Sequence, residues 1–393
     1  MQSFVSYMPT EVIFGKNTED RTAEFIKKHR GSRIFIVYGG GSVVKSGLLS
    51  KIEQQLIDAD LDFLSFGGIK PNPTLETARE CVKKAIKFGA DFVLAIGGGS
   101  VIDTAKAVAH GVKAADTDIW SFWSNEKPVV SSLPVGVVLT ISAAGSEMSN
   151  SAVLTNEEIG QKKGLSTDFN RPVFAIMNPE LTYTLPKFQI ACGIVDIMMH
   201  TLDRFFTTID GNQLTDEFAL GLLRIVVKNG KIAMLEPTNY EAMSEIMWCG
   251  SVSHNGFTGL GYVLDFAVHQ LGHEISAKYD VAHGASLSAV WESWAKHVYK
   301  IKPERFAQYG RYVWGIDEKD DNQAALNAIS TTMEFFKSLN MPTNFSSLGI
   351  ELLNENELLE MSDRCTYRGK RLVGNFKKLD KDDIYAIYKM ANN

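Results

Sequence analysis

The chain has 393 residues, a net charge of −6 at pH 7, 45% apolar residues and 22% charged residues. That length exceeds one typical core and predicts two domains in an ordinary globular protein. The mild acidity argues against a nucleic-acid or anionic-membrane surface, and no apolar run reaches the length needed to span a bilayer.

The N-terminus lacks a basic segment followed by a long apolar stretch, so no secretory leader is expected. Cys81, Cys192, Cys249 and Cys365 are scattered, without a Cys-x-x-Cys pair or a disulfide-framework spacing. A reduced, cytoplasmic protein fits that usage.

From the start of the chain, strands alternate with helices. Arg33–Tyr38 is a β-branched and aromatic run that ends in Gly39-Gly40-Gly41-Ser42. A helix with apolar positions at Leu48, Leu49, Ile52 and Leu56 follows, then a short strand at Asp62–Phe66. The turn Pro71-Asn72-Pro73-Thr74 leads into a helix over Leu75–Phe88, with Thr74 as its N-cap. Phe92–Ile96 is a third strand, entering Gly97-Gly98-Gly99-Ser100 and then a helix over Val101–His110. Further strands are expected at Gly136–Ile141 and Val173–Met177. This alternation predicts a largely parallel sheet with helices on both faces.

After Tyr183-Thr184-Leu185-Pro186 the pattern becomes helical, with long stretches at Leu214–Asn229, Tyr240–Asn255 and Leu326–Leu339. The expected division is 1–184, a nucleotide-binding α/β domain, and 185–393, an almost wholly helical domain.

Both Gly-Gly-Gly-Ser turns follow a strand and open a helix. Glycines admit a ligand close to the backbone, and a helix N-terminus favours anions. Gly97, Gly98, Gly99 and Ser100 form the better phosphate candidate, with Ser100 placed to cap the helix or donate to a phosphate oxygen. Neither turn fits the Rossmann fingerprint, since Val44 and Ile102 stand where the third glycine belongs, and neither is a P-loop. No carboxylate stands at Gly39–Ser42, where an NAD site commonly offers one to the ribose. That absence, with Lys45 nearby, favours NADP(H) over NAD(H).

The densest chemistry lies between residues 190 and 285. Asp196 and His200 are four apart, as are His269 and His273, and His283 follows. On a helix, i and i+4 share a face. An Asp-x-x-x-His pair alone is an ordinary helical feature. The combination Asp196, His200, His269 and His283 is harder to dismiss, and imidazoles with one carboxylate suit Zn²⁺ or Fe²⁺. A further position stays open for substrate if the metal takes more than four ligands. His273, one turn past His269, reads as a neighbour of the site or as its proton donor. His254 and His297 read as ordinary polar or core histidines, and His29 and His110 as helix-end or surface ones.

These residues resemble the iron-containing (group III) alcohol dehydrogenases, in the branch of butanol dehydrogenases and NADPH-dependent aldehyde reductases. The resemblance spans nearly the whole chain. It rests on the Gly-rich turns, Pro71-Asn72-Pro73, Asp103, Gly145-Ser146-Glu147, Asn178-Pro179-Glu180-Leu181, and the Asp196, His200, His269, His273 and His283 set. It implies a dehydroquinate synthase-like pair of domains with the active site in the cleft between them. It further implies a metal held by Asp196, His200, His269 and His283. Gly97–Ser100 would hold the pyrophosphate, and Gly39, Gly40, Gly41 and Ser42 would surround the adenosine ribose. Asp103, Thr140 and Lys162 would lie along the cofactor, with neighbouring Lys163 the rival for the last place.

The implied reaction is reversible reduction of a short-chain aldehyde by NAD(P)H, in a homodimer. Ser142-Ala143-Ala144 departs from the family's usual Pro-Ala-Thr, which removes one hydroxyl from the cofactor's side. A second reading is an NAD- and metal-dependent sugar-phosphate cyclase of the dehydroquinate synthase type. That chemistry needs a basic cluster, whereas the site segments here carry Met198, Met199, Phe257, Tyr262, Leu264 and Phe266.

Overall fold

The computed structural model describes residues 2–393. Two compact units divide them: Tyr7–Leu185, and Pro186–Asn393 together with the N-terminal segment up to Ser6. That opening segment therefore groups with the helical unit and not with the domain expected at 1–184. A side chain at Gly261 of the helical unit would come 3.3 Å from the Phe4 ring.

The first unit runs β1 (Glu11–Phe14), α1 (Thr22–Lys28), β2 (Arg33–Gly39), α2 (Ser42–Lys45), α3 (Leu48–Asp58), β3 (Asp62–Ile69), α4 (Leu75–Phe88), β4 (Phe92–Gly97), α5 (Gly99–Lys113), α6 (Trp120–Trp123), β5 (Val135–Leu139), β6 (Ser151–Asn156), β7 (Gln161–Ser166) and β8 (Phe174–Met177). Six strands pair in parallel in the order β1-β8-β5-β4-β2-β3. The central strands β4, β5 and β8 are buried throughout, as a parallel sheet covered on both faces requires. On one face Ile34, Ile36, Leu94, Ile96, Val138 and Ile176 pack with Phe25 and Ile26 of α1 and Ile52 and Leu56 of α3. A separate core joins Leu75 and Ala78 of α4, Ala107 of α5 and Trp123 of α6 to Ala152 and Leu154 of β6. Each fully buried Val, Leu, Ile or Phe among them contributes roughly 1.5–3 kcal/mol.

Thr74 caps α4, its hydroxyl accepting from the Thr77 N–H. Strand β1 and the antiparallel β6–β7 hairpin were not expected from the sequence. His110, expected at a helix end or surface, is fully buried. Its Nδ1 lies 2.9 Å from Ser132 Oγ and its Nε2 2.8 Å from Asn170 Oδ1. The reason is α5's position: at His110 it packs against Phe122 and Trp123, with ring centres 6.4 and 6.2 Å away, so the imidazole faces the interior while Lys113 keeps the solvent side.

The second unit is helical: α7 (Lys187–Phe205), α8 (Gln213–Leu235), α9 (Tyr240–His254), α10 (Ala267–Tyr279), α11 (His283–Val298), α12 (Pro303–Tyr309), α13 (Asp321–Ser338), α14 (Glu355–Cys365) and α15 (Lys381–Ala391). Helix α7 is buried around its whole circumference from Val195 onward, which identifies it as the central helix of the unit. Its C-terminal end is pinned where Arg305 donates to the Phe205 carbonyl and grips Asp216 through both Nη atoms. The Phe206 and Phe306 rings stack alongside at 4.1 Å.

Candidate functional site

In the first unit, β2 and β4 are neighbours, and Tyr38 stands in register with Ile96. From β2 the chain moves outward to β3, and from β4 it moves the other way to β5. The order therefore reverses between β2 and β4, the place where open α/β sheets hold ligands. Both Gly-rich turns leave the carboxyl edge at this reversal. Helix α5 starts at Gly99 with no side chain capping it, so its first N–H groups face outward at the turn.

The two turns differ in why they are glycine. A Cβ on Gly98 would fall 1.9 Å from Ile141 Cγ2, so packing alone demands glycine there. A Cβ on Gly40 would meet nothing within 4 Å, and Gly41 has φ of 132°. The first turn thus has room against its backbone for a ligand.

Thr140 follows β5 and its N–H donates to the Gly97 carbonyl at 3.2 Å, which sets it beside the second turn. Lys162 and Lys163 separate clearly. Lys162 Nζ donates to Asn72 Oδ1 at 2.8 Å, while the Lys163 ammonium lies 5.7 Å from the Trp120 ring centre. Asp103 turns inward: Oδ1 accepts from Ser146 Oγ at 2.6 Å and Oδ2 from the Val153 N–H at 2.9 Å. Burial raises its pKa despite the nearby Lys106 charge. Lys106 is itself fully buried and donates to the carbonyls of Ser146 and Ser151 at 2.8 and 2.7 Å. Burial lowers its pKa to about 8 against the pull of Asp103 and Glu147.

In the helical unit, α7 presents Asp196 and His200 one turn apart, α10 presents His269 and His273, and His283 is the first residue of α11. Around Asp196 Oδ1 stand His200 Nδ1 at 3.2 Å, His269 Nε2 at 3.6 Å and His283 Nε2 at 3.8 Å. The ligand atoms of Asp196, His200 and His269 lie within 4.8 Å of one another. All three residues are buried, and Asp196 Oδ1, His200 Nδ1 and His269 Nε2 make no hydrogen bond. Buried polar atoms left unbonded are costly, and three from different side chains at one point suit a cation between them. One carboxylate with imidazoles is a donor set for Zn²⁺ or Fe²⁺, so the residues fit a divalent metal.

His273 lies one turn along α10, with its ring centre 5.2 Å from that of His283 and 6.4 Å from that of His269. The His200 pKa is pushed well below the usual value by burial, with His254 and His269 adding to the effect. His269 moves the other way: burial works to lower it, but the carboxylates of Asp196 and Asp203 outweigh burial and hold it at about 9. Cys192, one turn before Asp196, is pushed up to about 12 by burial and by that carboxylate, so it stays a thiol.

Three neighbours were missed. His254, read as ordinary, stacks on His200 with ring centres 4.0 Å apart. Asp203 Oδ2 lies 2.5 Å from His269 Nδ1. Asp265 accepts from the N–H groups of Ala267, Asn375 and Phe376, with its pKa raised to about 7 by burial and by Asp203. Asp203 had a signal in the sequence, since 196, 200 and 203 form an i, i+4, i+7 stripe on α7.

Comparison with known proteins agrees over both units. The family model for iron-containing alcohol dehydrogenases matches residues 9–179, and that for the C-terminal part of Fe-containing alcohol dehydrogenases matches residues 190–392. The chain is 37% identical to NADH-dependent butanol dehydrogenase A of Clostridium acetobutylicum, over 100% of both chains. It is 36% identical to NADPH-dependent aldehyde reductase YqhD of Escherichia coli, again over 100% of both. The crystal structure of NADH-dependent butanol dehydrogenase A from Thermotoga maritima superposes with a TM-score of 0.96 at 31% identity, covering 100% of this chain and 99% of that one. With matches of this extent, the chain belongs to the iron-containing alcohol dehydrogenase family, whose members combine a nicotinamide cofactor with a metal.

Proposed function

We propose that the chain is an NADPH-preferring aldehyde reductase and alcohol dehydrogenase acting on short-chain aldehydes, with Asp196, His200, His269 and His283 holding one Fe²⁺ or Zn²⁺. The observation that supports it most is the meeting of the three imidazole nitrogens on Asp196 Oδ1. Relatives named as butanol dehydrogenases and an aldehyde reductase support the substrate class. The sugar-phosphate cyclase alternative is not favoured by these relatives.

When bound, the metal supplies Lewis acidity toward a carbonyl oxygen and the nicotinamide supplies or accepts the hydride. The residues of the chain bind, orient and move a proton. The uncapped start of α5 at Gly99–Ser100 favours the pyrophosphate. The open face of Gly39, Gly40, Gly41 and Ser42 accepts the adenosine ribose, and Lys45 on α2 favours a 2′-phosphate. Thr140, beside Gly97, contacts the cofactor directly. Lys162, held by Asn72, reaches the nicotinamide ribose. Asp103 acts along the cofactor by fixing the Ser146 loop, since both its oxygens are engaged there. His273 donates the proton that turns alkoxide into alcohol.

Relatives named for NADH and for NADPH both occur, so the cofactor preference rests on this chain's own turn. We read the chain as a cytoplasmic homodimer; no helix among the described residues is long and apolar enough to cross a membrane, and the four cysteines are free.

The test is turnover of butyraldehyde by the purified chain loaded with Fe²⁺ or Zn²⁺, with NADPH and NADH compared. NADPH oxidation that vanishes on chelation and in D196A, with a lower KM for NADPH than for NADH, is expected. Metal-loaded protein that oxidises neither cofactor with any short aldehyde defeats the reading. A KM for NADH at or below that for NADPH defeats the cofactor preference alone.

A further inference from the structure

The imidazole of His269 faces a carboxylate at each end and is hydrogen-bonded at one. Its Nδ1 lies 2.5 Å from Asp203 Oδ2, and its Nε2 lies 3.6 Å from Asp196 Oδ1. Asp203 is 1% exposed and His269 4% exposed, so water does not compete for either contact. A neutral imidazole carries one N–H and one lone pair, and a carboxylate accepts only from the N–H. With Asp203 at Nδ1 and a divalent cation between Nε2 and Asp196, the proton resides on Nδ1 and the Nε2 lone pair is left for the metal. With the metal bound, the other tautomer would set a proton against the cation and a lone pair against Asp203, and a half-turn of the ring would leave Asp203 facing a carbon.

Asp203 is itself fixed. It lies on the same helix as Asp196 and His200, and its backbone carbonyl accepts from the Asp265 N–H at 2.9 Å. Asp265 in turn holds the N–H groups of Asn375 and Phe376, both at 2.6 Å. Helix α7 therefore provides two donor atoms and dictates the direction of a third on α10.

We infer that Asp203 is a positioning residue for the metal, holding His269 in the tautomer and orientation that present Nε2, so that metal affinity depends on a carboxylate outside the donor set. This rests on the metal reading above. Such outer carboxylates are worth roughly ten- to a hundredfold in metal affinity.

The test uses the full chain loaded with Zn²⁺ or Co²⁺ and challenged with a chelator, comparing wild type, D203N, D203E and D196A. D203N is expected to bind Zn²⁺ about ten- to a hundredfold more weakly and to shift the visible spectrum of bound Co²⁺. The stripped D203N protein is expected to unfold at the same temperature as the stripped wild type, which a merely structural role would not allow. If D203N does unfold earlier, D203E, which keeps the carboxylate, must recover affinity for the inference to stand. D203N that holds Zn²⁺ as tightly as wild type, with an unchanged Co²⁺ spectrum while D196A loses the metal, overturns this inference alone. Wild type that takes up no metal overturns it together with the reading beneath it.

Discussion

Gly284 and Cys192 touch backbone to backbone: a Cβ on Gly284 would fall 2.2 Å from the Cys192 carbonyl oxygen and 2.8 Å from its Cα. This contact locks the start of α11 against α7, one residue after His283 and one helical turn before Asp196. No flexible side chain can yield there, so any substitution must move a helix.

The G284A variant is therefore expected to lose about 1–3 kcal/mol of stability through overpacking. It should also weaken Zn²⁺ binding, because the displaced residue adjoins His283. Denaturant unfolding and a chelator challenge measure the two effects. An A285G change, which keeps the Ala285 N–H that bonds the Cys192 thiol and adds no atom to the pinch, should leave the metal in place. Wild-type metal affinity in G284A would show that the pinch does not govern His283.

The buried ammonium of Lys106 ties the loop after β5 to α5. It donates to the Ser146 and Ser151 carbonyls, and Asp103 takes the Ser146 hydroxyl. Ala144 of the same loop packs against Gly99, whose Cβ position lies 3.1 Å from Ala144 Cβ. K106M leaves those carbonyls unsatisfied and Asp103 without its nearest charge, and is expected to cost about 3 kcal/mol. Because the loop flanks the Gly97–Ser100 turn proposed to hold the pyrophosphate, NADPH binding should weaken in the folded fraction, as read by fluorescence titration. Unchanged NADPH affinity in folded K106M would confine the lysine to stability.

His110 sets an acid limit on the first unit. Burial lowers its pKa from 6.5 to about 4, with the Asn170 contact opposing and the Lys106 charge adding. A histidine with a depressed folded pKa binds fewer protons folded than unfolded. Its contribution is present above pH 6.5 and is lost as pH falls toward 4. That difference corresponds to about 3 kcal/mol at the acid end. H110Q is expected to be less stable than wild type at pH 7 and to show a flatter decline between pH 6.5 and 4. Denaturation curves at pH 7, 5.5 and 4.5 compare the slopes, and parallel slopes would remove His110 from the acid response.

How much of this could be read from the chain alone depended on the range of the interactions. The helix at Leu75–Phe88 was legible to its ends because Thr74, the apolar spacing and Gly89 are all local signals. The hairpin was not, because Gln161-Lys162-Lys163-Gly164 is polar and its partner lies across a turn. Four-residue β1 is shorter than any periodicity can reveal, and it exists through its pairing with β8. Among the site residues, Asp196 and His200 stood out by spacing, while the link from Asp203 to His269 joins positions 66 apart and exists only once α7 meets α10. His254 was unreadable for the same reason, since its stacking on His200 runs between α9 and α7.

His273 provides the sharpest test of proton delivery. It sits one turn after His269 on α10, half-buried, with its ring centre 5.2 Å from that of His283. A group that donates a proton to the product oxygen must stand beside the metal without being consumed by it, which this placement allows. General acid–base groups contribute roughly 10²–10⁴-fold in rate. H273N keeps a polar side chain of similar size but does not titrate near neutral pH. Its kcat for butyraldehyde reduction is expected to fall by about 10²-fold at pH 7, with metal content and NADPH affinity unchanged and with the rate no longer varying with pH through the histidine range. A lowered rate with lowered metal content would make His273 part of the metal's support. An unchanged rate and an unchanged pH profile would assign proton delivery to water or to a ribose hydroxyl.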